Sequence, residues 1–293
     1  MAGRKAYNKR IYDEDVYDWR VHDERVYDKR KRNLARRRKR RIIKLVRMTL
    51  AGGVIIAAVF SVKKVLGDRI MLTENGIVWD TGELSVIEQS GDASDTLREL
   101  LENNPETADF IKNYPDMKDN PPAESVGDMT KGVIPHLLQW DERWGYQTYG
   151  DNMIAVNGCG PTALSMVAAG LTGDNTITPY KVAGFAAEQG YYAGESGTSW
   201  SLMTEGAQQF GIRGEELGLS REEVFSALEN GQPIICSMRP GDFTTTGHFI
   251  VLVGTKDGKI RVNDPNSLKR SEKLWDYETL EYQINNLWGY TVL

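Results

Sequence analysis

From Val133 onward the apolar residues fall into blocks of two kinds. One is Ala163–Ala169 (ALSMVAA), apolar on nearly every side and introduced by Gly158, Gly160 and Pro161. Glycine permits a tight approach and proline suits a first turn, so a buried helix beginning at Cys159 is predicted. The other kind is strand-length: Pro233–Met238 (PIICSM) and His248–Gly254 (HFIVLVG) are continuous apolar runs, the pattern of strands covered on both faces. Asp257-Gly258 then predicts a hairpin turn into Lys259–Asn263, making the two flanking strands antiparallel neighbours.

Upstream the pattern is sparser. Leu72–Ile87 reads as a short hairpin around Asn75-Gly76, with Ile77, Val78 and Trp79 as its apolar part. Two brief helices follow, one holding Leu97, Leu100 and Leu101. The other is capped by Asn104 with Pro105 at its first position and presents Phe110, Ile111 and Tyr114. Pro121-Pro122 and the polar stretch to Gly127 read as a linker. This region is expected to be a stalk, the alternative being a segment that packs on the main body and regulates it.

Nearer the start, Met48–Val62 carries no charge. Extended by Ile42, Ile43, Leu45, Val46, Val65 and Leu66, it would form a helix of about 37 Å, enough to cross a hydrocarbon layer of about 30 Å. Lys44, Arg47, Lys63 and Lys64 can snorkel. Between Ile11 and Arg30 a five-residue unit occurs four times (IYDED, VYDWR, VHDER, VYDKR). Five matches neither the helix nor the strand period, so a tail without a stable apolar face is expected.

Charge sharpens this division. Residues 1–47 hold 18 Lys and Arg against 7 Asp and Glu, whereas the remainder holds 18 against 34. Ten of the thirteen residues 29–41 are basic and lead straight into the apolar stretch. Such an excess before a span places the N-terminus in the cytoplasm and everything after Leu66 on the far side. No clear small-residue cleavage site follows, so an uncleaved anchor is expected rather than a signal peptide. Basic runs beside a span are ordinarily orientation or lipid signals, and no nucleic-acid partner is expected. The division expected is a cytoplasmic tail (1–41), a transmembrane signal anchor (42–66), an extracytoplasmic connecting region (67–130) and a main domain (131–293).

Only two cysteines are present, Cys159 and Cys236, too few for a disulfide framework. Cys159 opens the predicted helix, where the dipole and free N–H groups favour a thiolate. Cys236 lies in an apolar strand-like run and reads as core. A thiolate nucleophile needs a histidine partner oriented by a third group. Of the three histidines, His22 is predicted to lie across the membrane and His136 precedes the first clear structural signal, which leaves His248 at the start of its strand. The orienting residue is sought in Lys259–Ser267, with Asp264 foremost and Asn263 and Asn266 behind it. Register decides the matter. A plain two-residue turn pairs Asp264 with Val251, on the face away from His248, while a bulged loop at Gly258 pairs it with Ile250, on the face of His248. The bulged turn is therefore expected. A zinc site built from these three residues would lack a fourth ligand, and no metal or organic cofactor is expected. Trp140, Trp144 and Trp200 suit either a substrate groove or packing anchors, and Thr198 and Ser199 stand in a Gly-rich loop that could border a cleft.

Four motifs, Q-W-D-x-x-W (Gln139–Trp144), G-C-G-P-T (Gly158–Thr162), G-H-F-I-V-L (Gly247–Leu252) and N-D-P (Asn263–Pro265), stand in the order of a known family. From Val133 to Leu293 the chain resembles the thirty-ninth family of cysteine peptidases, of the papain-like superfamily. The resemblance implies an α+β fold in which a helix carrying the cysteine packs on an antiparallel sheet carrying His and Asp. It also implies Cys159 as nucleophile, His248 as base and Asp264 as orienting acid. Papain-like sites use a glutamine side chain, with the nucleophile's own N–H, to bind the oxyanion. In many members that glutamine lies about six residues before the cysteine, where this chain has Met153. Gln139 is then the best substitute, with Asn157 in reserve. The expected activity is hydrolysis of a peptide bond in a peptide or protein substrate through a Cys159 thioester. The alternatives are a cell-wall peptide amidase or endopeptidase using the same residues, and an inert binding module retaining the fold. Leader trimming within a multi-span exporter is not carried over, because nothing here resembles an ATP-binding cassette. The connecting region, preceding the domain as propeptides do, is expected to shield the cleft.

Overall fold

The computed structural model describes residues 70–73, 76–79, 82–194 and 197–293. The five-residue repeats at 11–30, the basic run and the apolar stretch 42–66 lie outside the described residues. Among the described residues no helix is long and apolar enough to cross a membrane.

The described residues fall into two units, one before and one after position 80. In the first, strands β1 (Ile70–Thr73) and β2 (Gly76–Trp79) pair antiparallel, with Thr73 opposite Gly76. The expected hairpin is present, but Gly76 is a strand residue rather than part of the turn, and the hairpin does not reach Ile87. That residue belongs to a helix of the second unit, α1 (Glu83–Gln89). Leu84 and Ile87 are spaced i, i+3, so a helix puts both on one side, which alternation would not.

The second unit is α+β, as expected. Beside a short antiparallel pair, β3 (Thr148–Tyr149) and β4 (Asn152–Met153), a six-stranded sheet, antiparallel throughout, runs β5 (Ile212–Glu216), β10 (Ile284–Val292), β6 (Ile234–Met238), β7 (His248–Lys256), β8 (Lys259–Asn263) and β9 (Leu274–Trp275). One core joins Ile235, Val251 and Trp288 to the central helix, Cys159–Thr172, through Leu164 and Val167. A second core joins Ile234, Cys236, Ile250 and Leu252 to the helix Arg221–Glu229, through Val224 and Leu228. Successive strand residues thus enter opposite cores, which is why β6 and β7 are apolar without interruption. Cys236 lies fully buried in β6, as the reading of its run anticipates.

The hairpin between β7 and β8 differs from expectation in an instructive way. Lys256 pairs with Lys259, so the turn is the plain two-residue Asp257-Gly258, both with positive φ (53° and 72°). The bulge lies elsewhere. Leu252 pairs with Val262 and Gly254 with Arg261, leaving Val253 without a partner. One extra residue in β7 gives the same shift that a bulge at Gly258 would have given. Val251 consequently faces Asn263, and Asp264 comes next, toward His248.

The connecting region is no free stalk. Helices α2 (Ser94–Asn103) and α3 (Ala108–Met117) are joined by a turn in which Asn104 caps the Glu106 N–H, with Pro105 at the first position, as read from sequence. With α1 they bury Ile87, Leu97, Leu100, Phe110 and Ile111 against Tyr146 and Ala155 of the main body. The Phe110 ring stacks on Tyr146 at 4.0 Å, and the Tyr146 hydroxyl donates to the Phe110 carbonyl at 2.7 Å. The stretch after Pro121-Pro122 is tied down too, by Ala123 N–H to the Arg143 carbonyl and Val126 N–H to that of Asn175. Phe110→Ala empties this contact and is expected to cost about 3–5 kcal/mol. Hydrogen exchange should then accelerate over residues 83–117 far more than in β6 and β7.

Candidate active site

Cys159 is the first residue of its helix and is partly exposed. The turn before it, Ile154–Asn157, ends at Gly158, where a Cβ would sit 2.5 Å from the Ile154 carbonyl oxygen. A Cβ on Gly160 would lie 2.8 Å from Thr198. The Gly-Cys-Gly spacing therefore lets the helix start pass between Ile154 and the Thr198 loop with the sulfur still reachable. Thr198 is buried, its hydroxyl 3.0 Å from that of Tyr149.

His248, the first residue of β7, is buried and carries the central contacts. Its Nε2 lies 2.7 Å from Asp264 Oδ1, and Cys159 stands near enough to the ring to act on its charge. Burial alone would lower the His248 pKa, but Asp264 and Cys159 outweigh it and raise it to about 9. An imidazolium between a carboxylate and a sulfur is thereby favoured at neutral pH. Cys236 differs: burial alone pushes its thiol well above the ordinary range.

Asp264 has no exposed surface. Besides His248, its Oδ1 accepts from Asn266 N–H at 2.7 Å, and Oδ2 accepts from Arg270 Nε at 2.5 Å. Burial would raise its pKa, yet His248 and Arg270 together hold it below the usual carboxylate range. Its own N–H donates to Ser271 Oγ at 2.8 Å. Arg270 and Ser271 belong to a four-residue helix, Leu268–Ser271, capped by Ser267.

Cys159, His248 and Asp264, singled out from sequence, are thus brought together. Gln139 is placed differently. It is buried, its Nε2 donating to the carbonyls of Ala155 at 2.7 Å and Val156 at 3.3 Å, and its Oε1 has no partner among the described residues. Both amide donors brace the turn ahead of Cys159, so the expected oxyanion donor is engaged elsewhere. The reserve, Asn157, is also engaged, by the Tyr149 carbonyl, Asp151 and Tyr192. Trp144 is a packing anchor, fully buried with its indole N–H on the Leu138 carbonyl. Trp200 is 43% exposed and meets the buried Trp288 edge to face.

Three neighbours escaped the sequence reading. Arg270 is one. His136 is another: preceding the first clear structural signal in the sequence, it places Nε2 2.8 Å from the Asp264 carbonyl oxygen and 3.1 Å from Ser271 Oγ. The third is Glu106 of the connecting region, which accepts from the Ser267 hydroxyl and from the N–H groups of Leu268 and Lys269. Asn263 and Asn266 do not touch the imidazole: Asn263 donates to the Pro135 carbonyl, and Asn266 supports Asp264. Residues 82–117 meet the body at other points. Among the described residues, the hydrogen bonds of 82–117 to the body reach Glu142, Tyr146, Asn266 and Ser267–Lys269 rather than Cys159 or His248.

A cysteine at a central helix start, faced by a histidine on an antiparallel strand and an aspartate from the next, defines a protein of the papain-like class. Within that class, the sequence model of the Peptidase_C39 like family matches residues 133–292, and the chain belongs to this family. Among solved structures, similar chains include the peptidase domain of Streptococcus ComA, a bi-functional ABC transporter involved in quorum sensing. It is 19% identical, with a TM-score of 0.38 over 47% of this chain and 93% of that one. A double glycine motif protease from an AMS/PCAT transporter, in complex with its leader peptide, is 16% identical with a TM-score of 0.36, covering 55% and 91%. A chain described as a C39-like peptidase from Bacillus anthracis is 15% identical with a TM-score of 0.36, covering 55% and 96%. No curated protein matches.

Proposed function

We propose that this chain is a membrane-anchored cysteine peptidase that cleaves a peptide bond outside the cytoplasm through a thioester on Cys159. The observation that carries the reading is the buried His248 ring, bonded through Nε2 to the Asp264 carboxylate, with Cys159 at the helix start close enough to raise its pKa. In the mechanism proposed, the thiolate attacks the carbonyl carbon and the imidazolium donates its proton to the departing amine nitrogen as the C–N bond breaks. Neutral His248 then takes a proton from water, the hydroxide attacks the thioester, and the C–S bond breaks to return the thiolate–imidazolium pair. Asp264 fixes the ring and stabilises its charge throughout. With Gln139 and Asn157 engaged elsewhere, the backbone N–H at the helix start is the oxyanion donor the reading retains.

Iodoacetamide at neutral pH tests the site: Cys159 should be modified at least about a hundredfold faster than Cys236 in the folded protein, because the thiolate is the reactive form. Equal, slow labelling of both would overturn the reading. The anchor rests on the apolar stretch 42–66 behind its basic run. Full-length protein should stay in the membrane fraction after carbonate extraction. In intact cells Cys159 should react with a membrane-impermeant thiol reagent, and protection until lysis would reverse the proposed topology.

A further inference from the structure

The loop Asp264–Ser271 supplies the carboxylate that orients His248, and it is held in part by two residues some 160 positions upstream, outside the stretch that matches the family. Glu106 Oε1 accepts from Ser267 Oγ at 2.5 Å, while Oε2 accepts from the N–H groups of Leu268 at 2.9 Å and Lys269 at 3.3 Å. It thereby caps the short helix that carries Arg270 and Ser271, which bond the Asp264 carboxylate and N–H respectively. Asn104 Nδ2 donates to the Asn266 carbonyl at 2.6 Å and to its Oδ1 at 3.0 Å, and Asn266 N–H in turn holds Asp264 Oδ1. The two anchors are rigidly linked to each other, since Asn104 Oδ1 accepts the Glu106 N–H at 3.1 Å.

We infer that Glu106 and Asn104 are positioning residues for the site: they hold the middle of the Asp264–Ser271 loop, at Asn266 and at Ser267–Lys269, and so set the aim of Asp264 at His248. The inference rests on the peptidase reading of Cys159, His248 and Asp264. It gives residues 82–117 a share in the chemistry without contact with substrate, and it explains why a segment outside the family match packs where it does. A purely structural strap could anchor anywhere on the body. This one places a carboxylate and an amide on the loop that carries the acid bonded to the imidazole. The charged and titratable groups that meet this centre are Asp264 and Cys159 on His248, Arg270 on Asp264, and His136 on the Asp264 carbonyl.

The test uses the full-length chain and needs no known substrate. The rate of Cys159 alkylation by iodoacetamide is followed against pH, with thermal unfolding measured alongside, in wild type, Glu106→Ala, Glu106→Gln and Asn104→Ala. Glu278→Ala, which breaks the distant surface pair with Arg221, is the control. The upper inflection, where the imidazolium loses its proton, should move down by about half a unit or more in Glu106→Ala. It should move less in Glu106→Gln, which keeps one acceptor oxygen, and not at all in Glu278→Ala. A lower unfolding temperature with an unmoved inflection would reduce Glu106 to a structural cap and overturn the inference. Should Glu106→Ala fail to fold, Glu106→Gln and Asn104→Ala decide it by the same criterion. A wild-type Cys159 that reacts no faster than Cys236 would instead remove the peptidase reading itself, and the positioning role with it.

Discussion

Replacing Cys159 by alanine is expected to reduce hydrolysis of a fluorogenic peptide library by about a thousandfold or more, because in the proposed mechanism its sulfur carries the acyl intermediate. His248→Ala should cost about 10²–10⁴-fold, the usual worth of a positioned acid–base. The two losses should be far from additive in the double variant, since the sulfur and the ring act as one pair. A covalent probe sharpens the experiment. An epoxysuccinyl peptide should add its mass to wild type at Cys159, to His248→Ala slowly, and to Cys159→Ala not at all. In His248→Ala the alkylation profile should also lose the inflection near pH 9, because the group that titrates there is gone. Full activity in Cys159→Ala would end the assignment of the nucleophile whatever the fold.

How much of this site is legible in the sequence depends on how far each contact travels. Cys159 and His248 are local readings, a glycine-flanked helix start and the first residue of an apolar strand. Asp264 needed a register, and the register was reached for the wrong cause. The readable signal was Gly254, since an isolated glycine within a strand pattern marks a bulge nearby, and the unpaired residue is Val253 beside it. Arg270 sits in a helix of four residues, too short for any periodicity to announce. His136 and Glu106 reach the Asp264 loop across 128 and more than 160 residues, through packing that no local pattern encodes. Gln139 shows the opposite failure. Its motif marks a real anchor, whose N–H meets the Pro265 carbonyl at 2.7 Å, but residue type alone could not say that its amide would be spent bracing the turn before Cys159. The connecting region was misjudged because its acidic surface suggests a solvated stalk, while Ile87, Phe110 and Ile111 are too few to look like a core until Tyr146 and Ala155 complete it.

Asp264→Ala is expected to be the most destabilising single change at the site. The carboxylate has no exposed surface and holds two cationic side chains, His248 and Arg270, so truncation leaves both unpaired. Removing one partner of a buried ionic group costs about 3–5 kcal/mol. For a body of this size that is a fall in unfolding temperature of roughly 6–20 °C. The pH dependence of stability gives a second readout. The folded His248 pKa is raised to about 9 from an unfolded value of 6.5. Its contribution is therefore complete below pH 6.5 and is lost as pH rises through 9. The Asp264 pKa is lowered from 3.8, so its contribution is present above that value and is lost as pH falls through the depressed one. Wild type should accordingly be most stable between about pH 4 and 6.5 and weaken progressively toward pH 9. Asp264→Ala should flatten the alkaline decline, because His248 then gains little from folding in its charged form. Asp264→Asn keeps the shape and one acceptor for the ring but not the charge, so it should recover part of the stability and none of the slope. An alkaline decline that persists in both variants would show that the imidazolium is stabilised by some group other than Asp264.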